Sequence, residues 1–242
     1  MRVIVKGTFA EACVAVAEII GDLVRRKPTA KLGLATGSTP EGVYDHLAEM
    51  CAAGLDFSGV TTVNLDEYRG ITGDNPVSYR YFMDKMLFSR INIDPNNTYV
   101  ASGVKDLEEE LARFKRKIYD GQIDLQLLGI GVNGHVGFNE PAEKLYCTAH
   151  VEKLTPSTIA ANARFFAHES EVPTEALTMG IGDIMSAAAI VLLAGGANKA
   201  TAIRELITND FITTAIPATF IKAHSNATVV IDRELAELAG YR

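Results

Sequence analysis

The segment Gly129-Ile-Gly-Val-Asn-Gly-His-Val-Gly-Phe-Asn-Glu-Pro141 sets one histidine, one carboxylate and two asparagines among four glycines, directly after the apolar run Leu125–Leu128. A glycine-rich loop leaving a buried strand is where an α/β protein carries its chemistry. His135 lies five residues before Glu140, and a carboxylate that orients an imidazole fixes its tautomer and keeps it basic. Proton transfer suits this pair; a histidine satisfied in the core is the alternative. The segment also contains a literal G-x-G-x-x-G. That dinucleotide fingerprint needs a helix opening at its last glycine, whereas here Gly137 and Pro141 follow and no helical period starts. No redox cofactor is expected.

Two further loops hold candidate groups. Thr36-Gly-Ser-Thr-Pro40 follows a strand and opens a helix, with Pro40 suited to the first turn. The backbone N–H groups of Gly37, Ser38 and Thr39, backed by the helix dipole, would hold a phosphate; a simple N-cap is the other reading. The loop is no Walker A motif, because Gly-Lys-Ser/Thr is absent, so a small phosphorylated metabolite fits better than a nucleotide. In Asn64-Leu-Asp-Glu-Tyr68 two adjacent carboxylates end a strand, and neighbouring residues of extended chain point to opposite sides. One faces the pocket while the other braces a loop. Asp66 is the pocket candidate, since partial desolvation would raise its pKa towards a base's range; a loop-capping aspartate is the alternative. Arg164 sits in an apolar stretch and Lys199 starts a helix, so each is either a phosphate ligand or a solvated surface cation. His46 belongs to a helix, and His150, His168 and His224 lack a carboxylate-and-glycine context. No two histidines have metal-ligand spacing, and no metal is expected.

The elements that must position these groups read as alternating strand and helix. Arg2–Lys6 is a strand, and Phe9–Val24 has helical spacing that ends near a basic run and Pro28. Leu32–Ala35 and Pro40–Ala53, Val60–Leu65 and Tyr79–Leu87, Leu107–Ile118 and Leu125–Leu128, and Ala188–Ala194 and Lys199–Ile207 repeat the pattern, and Ala227–Ile231 precedes Glu234–Leu238. The strands are continuous apolar runs, as a parallel sheet covered on both faces requires. The expected fold is a Rossmann-like, doubly wound α/β protein with a mostly parallel sheet, one domain over residues 1–242. Its least strand-like long segment, about residues 146–174, reads as helical and as a mobile lid over the site.

Composition narrows the partners. At 242 residues, 48% hydrophobic, the chain can bury one large core. A formal net charge of −7 argues against nucleic acid or an anionic membrane as partner. No signal-peptide apolar region follows Met1 and no apolar run reaches the ~20 residues of a membrane span, so a cytoplasmic protein is expected. Cys13, Cys51 and Cys147 lack paired spacing, and each is expected to pack in the interior.

Taken together, Leu34–Pro40, Asn64–Tyr68, Gly131–Pro141, Ala161–Phe166 and Ala176–Gly180, in this order between Lys31 and Lys199, resemble the glucosamine-6-phosphate deaminases of the glucosamine/galactosamine-6-phosphate isomerase family. The resemblance implies conversion of glucosamine 6-phosphate and water to fructose 6-phosphate and ammonia. It implies that His135 assists ring opening, with Glu140 and Asn133 setting its orientation and charge, and that Asp66 moves the C2 proton to C1. It assigns the phosphate to Thr36, Gly37, Ser38, Thr39, Arg164 and Lys199. In one branch of the family position 133 is an aspartate; Asn133 carries no charge, which should make His135 less easily protonated. Allosteric hexameric members have basic residues before the lid and a C-terminal extension, where this chain reads His150-Val-Glu152 and ends at Arg242. A short monomer not activated by N-acetylglucosamine 6-phosphate is the expectation. The alternatives are a 6-phosphogluconolactonase, which needs no C2 proton acceptor, and a non-catalytic sugar-phosphate sensor, which this acidic chain without a basic helix-turn-helix does not favour.

Overall fold

The computed structural model describes residues 1–163, 166 and 168–241. Its first unit shows how local signals build the fold. Strand β1 (Arg2–Lys6) leads to α1 (Phe9–Arg26), which starts at a capping box between Thr8 and Glu11 and ends on Arg25 and Arg26. Ala12, Val16, Ile20 and Val24, spaced by four, form its fully buried stripe. The chain continues through β2 (Lys31–Leu34), α2 (Glu41–Ala52), β3 (Thr61–Asn64), β4 (Asp66–Tyr68), α3 (Tyr79–Met86), β5 (Thr98–Tyr99), α4 (Leu107–Tyr119) and β6 (Leu125–Leu128). Then come β7 (His150–Lys153), α5 (Pro156–Asn162), β8 (Glu175–Thr178), α6 (Ile181–Met185), β9 (Ile190–Ala194), α7 (Ala200–Ile207), β10 (Ala227–Asp232) and α8 (Arg233–Leu238).

Seven strands form one parallel sheet in the order β1-β10-β9-β6-β2-β3-β5, surrounded by helices. Every residue of β2, β6, β9 and β10 is buried, as a sheet covered on both faces requires, the polar Lys31, Gln126, Thr228 and Asp232 among them. The loops after β2, β6 and β9 therefore leave neighbouring strands at one carboxyl edge. Among the described residues no helix is long and apolar enough to cross a membrane.

The structure departs from the sequence expectations in several places. A second sheet of three antiparallel strands, β4-β8-β7, stands beside the main one. Its strands have three or four residues, too few to declare a period of two. One of them, β7, falls inside the 146–174 segment expected to be helical; α5 and a 3₁₀ turn at Glu169–Glu171 supply its helical part. Pro40 caps α2 from outside the helix. Cys13 is buried, but Cys51 is only half-buried and Cys147 is exposed, with its backbone packed against Gly180 and Gly182.

Candidate active site

The loop after β6 folds back on itself. Gly131 N–H donates to His135 O at 2.9 Å and Gly134 N–H to Gly131 O at 3.0 Å. The His135 ring then lies on the bare face of Gly131, where a Cβ would stand 2.3 Å from its Cε1. Only glycine admits the imidazole there. His135 Nδ1 faces Glu140 Oε1 at 3.5 Å, an ion-pair distance without hydrogen-bond geometry, and has no other partner among the described residues. Asn133 bridges the two, its Nδ2 donating to Glu140 Oε2 at 2.7 Å and its Oδ1 accepting from His135 N–H at 3.2 Å. Thr158 Oγ1 donates to Glu140 Oε1. Burial opposes ionisation of Glu140, but His135, Thr158 and Asn133 outweigh it and hold the carboxyl below its usual range.

Asp66 reaches this loop through β8. The strands β4 and β8 pair antiparallel with Asp66 opposite Thr178. Beyond that pair β8 grips the loop: Thr178 Oγ1 accepts from Phe138 N–H at 3.1 Å, and Asn139 Nδ2 donates to Met179 O at 2.8 Å. At Gly137, whose φ is +57°, a Cβ would lie 3.6 Å from Asp66 Oδ2. The Asp66 carboxyl thus packs beside the histidine loop, 7% exposed. Burial, and then the charge of Glu67, push it up to about 8. Glu67 points the other way and braces α3, accepting the N–H groups of Tyr79 and Arg80 at 2.9 Å as well as that of Tyr68. Burial pushes Glu67 up to about 7 against the pull of those three bonds. The adjacent carboxylates do point to opposite sides, although Asp66 opens β4 instead of ending β3 and Glu67 braces a helix instead of a loop.

Thr36, Gly37, Ser38 and Thr39 form the loop between β2 and α2 at the same sheet edge. Lys199 closes a 3₁₀ turn after β9, and its Nζ donates to Ile130 O, joining the β9 loop to the histidine loop. Arg164 lies outside the described residues. A cavity of about 470 Å³ touches Ser38, Thr39, Gly195 and Gly196, but Asp232 and Glu234 also line it. Neither Asp66 nor His135 borders it, so the converging side chains define where a proton would move, while Ser38 and Thr39 open onto this hollow.

Sequence reasoning missed Thr158, Asn139 and Thr178. The spacing Thr155-x-x-Thr158 signals a helix N-terminus, but nothing local points to Glu140. His150, set aside for want of a carboxylate, has Nε2 3.0 Å from Glu152 Oε2.

A family profile described as glucosamine-6-phosphate isomerases/6-phosphogluconolactonase matches residues 6–230. The glucosamine-6-phosphate deaminase of Thermoanaerobacter sp. (strain X514) is 50% identical over 241 residues, 98% of this chain and 95% of that protein. The solved structure of a monomeric glucosamine-6-phosphate deaminase superposes with a TM-score of 0.95 at 43% identity, covering 98% of this chain and all of the other. That of 6-phosphogluconolactonase from Trypanosoma brucei, at 17% identity and a TM-score of 0.77 over 98% of this chain and 97% of its own, shares the fold alone. With the profile spanning most of the chain and a relative half identical along nearly all of it, the chain belongs to the glucosamine-6-phosphate isomerase/6-phosphogluconolactonase family.

Proposed function

We propose that this protein deaminates and isomerises glucosamine 6-phosphate, giving fructose 6-phosphate and ammonia in amino-sugar catabolism. His135, oriented by Glu140 and Asn133, takes the O1 hydroxyl proton and passes a proton to the ring oxygen O5 as the C1–O5 bond breaks and the pyranose ring opens. The aldehyde so formed acidifies C2–H; Asp66 takes that proton and returns it at C1 through an enol-type intermediate. The resulting imine at C2 is hydrolysed by water to the ketone and ammonia. Thr36 to Thr39, Arg164 and Lys199 hold the phosphate, whose binding positions the reacting carbons.

The observation that carries this reading is the Asp66 carboxyl, buried against the histidine loop with its pKa raised to about 8. A carbon acid needs such a desolvated base, whereas lactone hydrolysis needs only an activated water. The protein acts as a cytoplasmic monomer, in keeping with the monomeric deaminase it resembles, and α5 closes over the site.

The test is ammonia release from glucosamine 6-phosphate by the wild type and Asp66→Asn, with glucosamine as control. Ammonia from the wild type alone, and only from the phosphorylated sugar, is expected. A folded wild type that releases none sinks the deaminase reading and turns attention to lactone hydrolysis.

A further inference from the structure

Glu140 is held from outside its own loop, and the outside hold comes from α5. Thr155 caps this helix: its Oγ1 accepts from the Thr158 N–H at 3.3 Å and donates to Thr158 Oγ1 at 3.1 Å. The Thr158 hydroxyl, 4% exposed with its residue, passes the chain of bonds on to Glu140 Oε1, the oxygen that faces His135. Four residues later, on the same helix face, Asn162 Nδ2 donates to the Tyr68 hydroxyl at 2.8 Å. Tyr68 is two residues beyond Asp66 on β4, so the two side chains leave the strand on one side. Between these contacts Ile159 packs on a separate small core of Tyr68, Ile71, Phe138, Leu154 and Ala176. The Tyr68 ring is 5.6 Å from that of Phe138, a member of the histidine loop. One face of one short helix therefore touches the supports of both proton-transfer groups.

We propose that Thr158 and Asn162 are positioning residues, through which α5 sets His135 and Asp66 relative to each other; this rests on the deaminase reading above. Thr158 works through Glu140. The last torsion of a glutamate is broad, so a carboxylate bonded only by Asn133 at Oε2 has no fixed plane, and the direction in which it holds His135 drifts. A second bond at Oε1 fixes that plane. Asn162 works through Tyr68, holding the strand that carries Asp66.

Thr158→Val keeps the shape and removes the hydroxyl; Thr158→Ser keeps the hydroxyl. A hydrogen bond to a charged group is worth enough that kcat for ammonia release should fall roughly 10- to 100-fold in the valine variant. KM should change by less than about threefold, since the phosphate contacts are untouched. Serine should restore kcat. In a Glu140→Gln background the valine substitution should add little, because its effect has lost the group that transmits it. Tyr68→Phe tests the other arm without disturbing the helix cap: solvent deuterium entering C1 of fructose 6-phosphate should slow while the phosphate-dependent KM holds. Equal losses from Thr158→Val in both backgrounds, failure of serine to restore kcat, or full activity in both Thr158→Val and Tyr68→Phe overturns the proposal and leaves the deaminase reading standing. A wild type that releases no ammonia overturns both.

Discussion

Asp66→Asn should stabilise the protein and inactivate it, and the stabilisation should grow with pH. In the unfolded chain the Asp66 carboxyl ionises at 3.8; buried beside Glu67 it holds its proton to about 8. The folded state therefore binds more protons than the unfolded state between these values, so stability falls as pH rises through the window. The effect is absent below pH ~4 and fully developed above pH ~8. At ~1.4 kcal/mol per unit the window of about four units amounts to roughly 6 kcal/mol. Asparagine has the shape of the protonated carboxyl and does not titrate. The stability difference between variant and wild type should thus be about 1 to 2 kcal/mol at pH 5 and on the order of 5 kcal/mol at pH 8.5. Glu67 is present in both proteins, so the difference isolates Asp66 and its coupling to that neighbour. Urea denaturation at pH 5, 7 and 8.5 measures it, with ammonia release assayed in parallel and expected to fall by roughly 10² to 10⁴ through loss of the base. A stability difference independent of pH would refute the claim that Asp66 is desolvated by its packing.

Other substitutions test the remaining geometry. Asn133→Asp puts a second carboxylate where the amide now donates to Glu140 at 2.7 Å; the like charges should raise the pKa of the pair and move the pH–rate profile, and an unmoved profile rejects the role given to position 133. Gly131→Ala places a methyl 2.3 Å from His135 Cε1, so a folded enzyme with activity lowered on the order of 100-fold is expected, and activity within twofold of wild type says the ring is not held there. Lys199→Met should raise KM for glucosamine 6-phosphate and weaken inhibition by inorganic phosphate roughly 10- to 100-fold each; unchanged phosphate inhibition removes Lys199 from the site. Because this chain reads His150-Val-Glu152 where allosteric members carry basic residues before the lid, the rate curve should be hyperbolic and indifferent to N-acetylglucosamine 6-phosphate. A sigmoid straightened by that compound contradicts this.

Much of this protein is legible in its sequence because the signals are local. The runs Leu125–Leu128 and Ala227–Ile231 are mainly apolar, broken only by Gln126 and Thr228, because both faces of the parallel sheet are covered, and the burial of β6 and β10 agrees. The close partnership of Asn133, His135 and Glu140 follows from glycines that let seven or eight residues fold back on themselves. That Glu67 points away from Asp66 and braces α3 follows from the opposite directions of adjacent side chains in extended chain. What only the tertiary structure decided are the meetings of distant segments. Asp66 lies beside Gly137 because β8, more than a hundred residues along the chain, pairs with β4 and grips the histidine loop. Thr158 reaches Glu140, Lys199 reaches Ile130 O, and the backbone around Cys147 packs on Gly180 while the cysteine stays exposed, by the same means. Short polar strands carry too few residues to announce a period, and a side chain's distant partner is set by where whole elements pack, which no local spacing encodes.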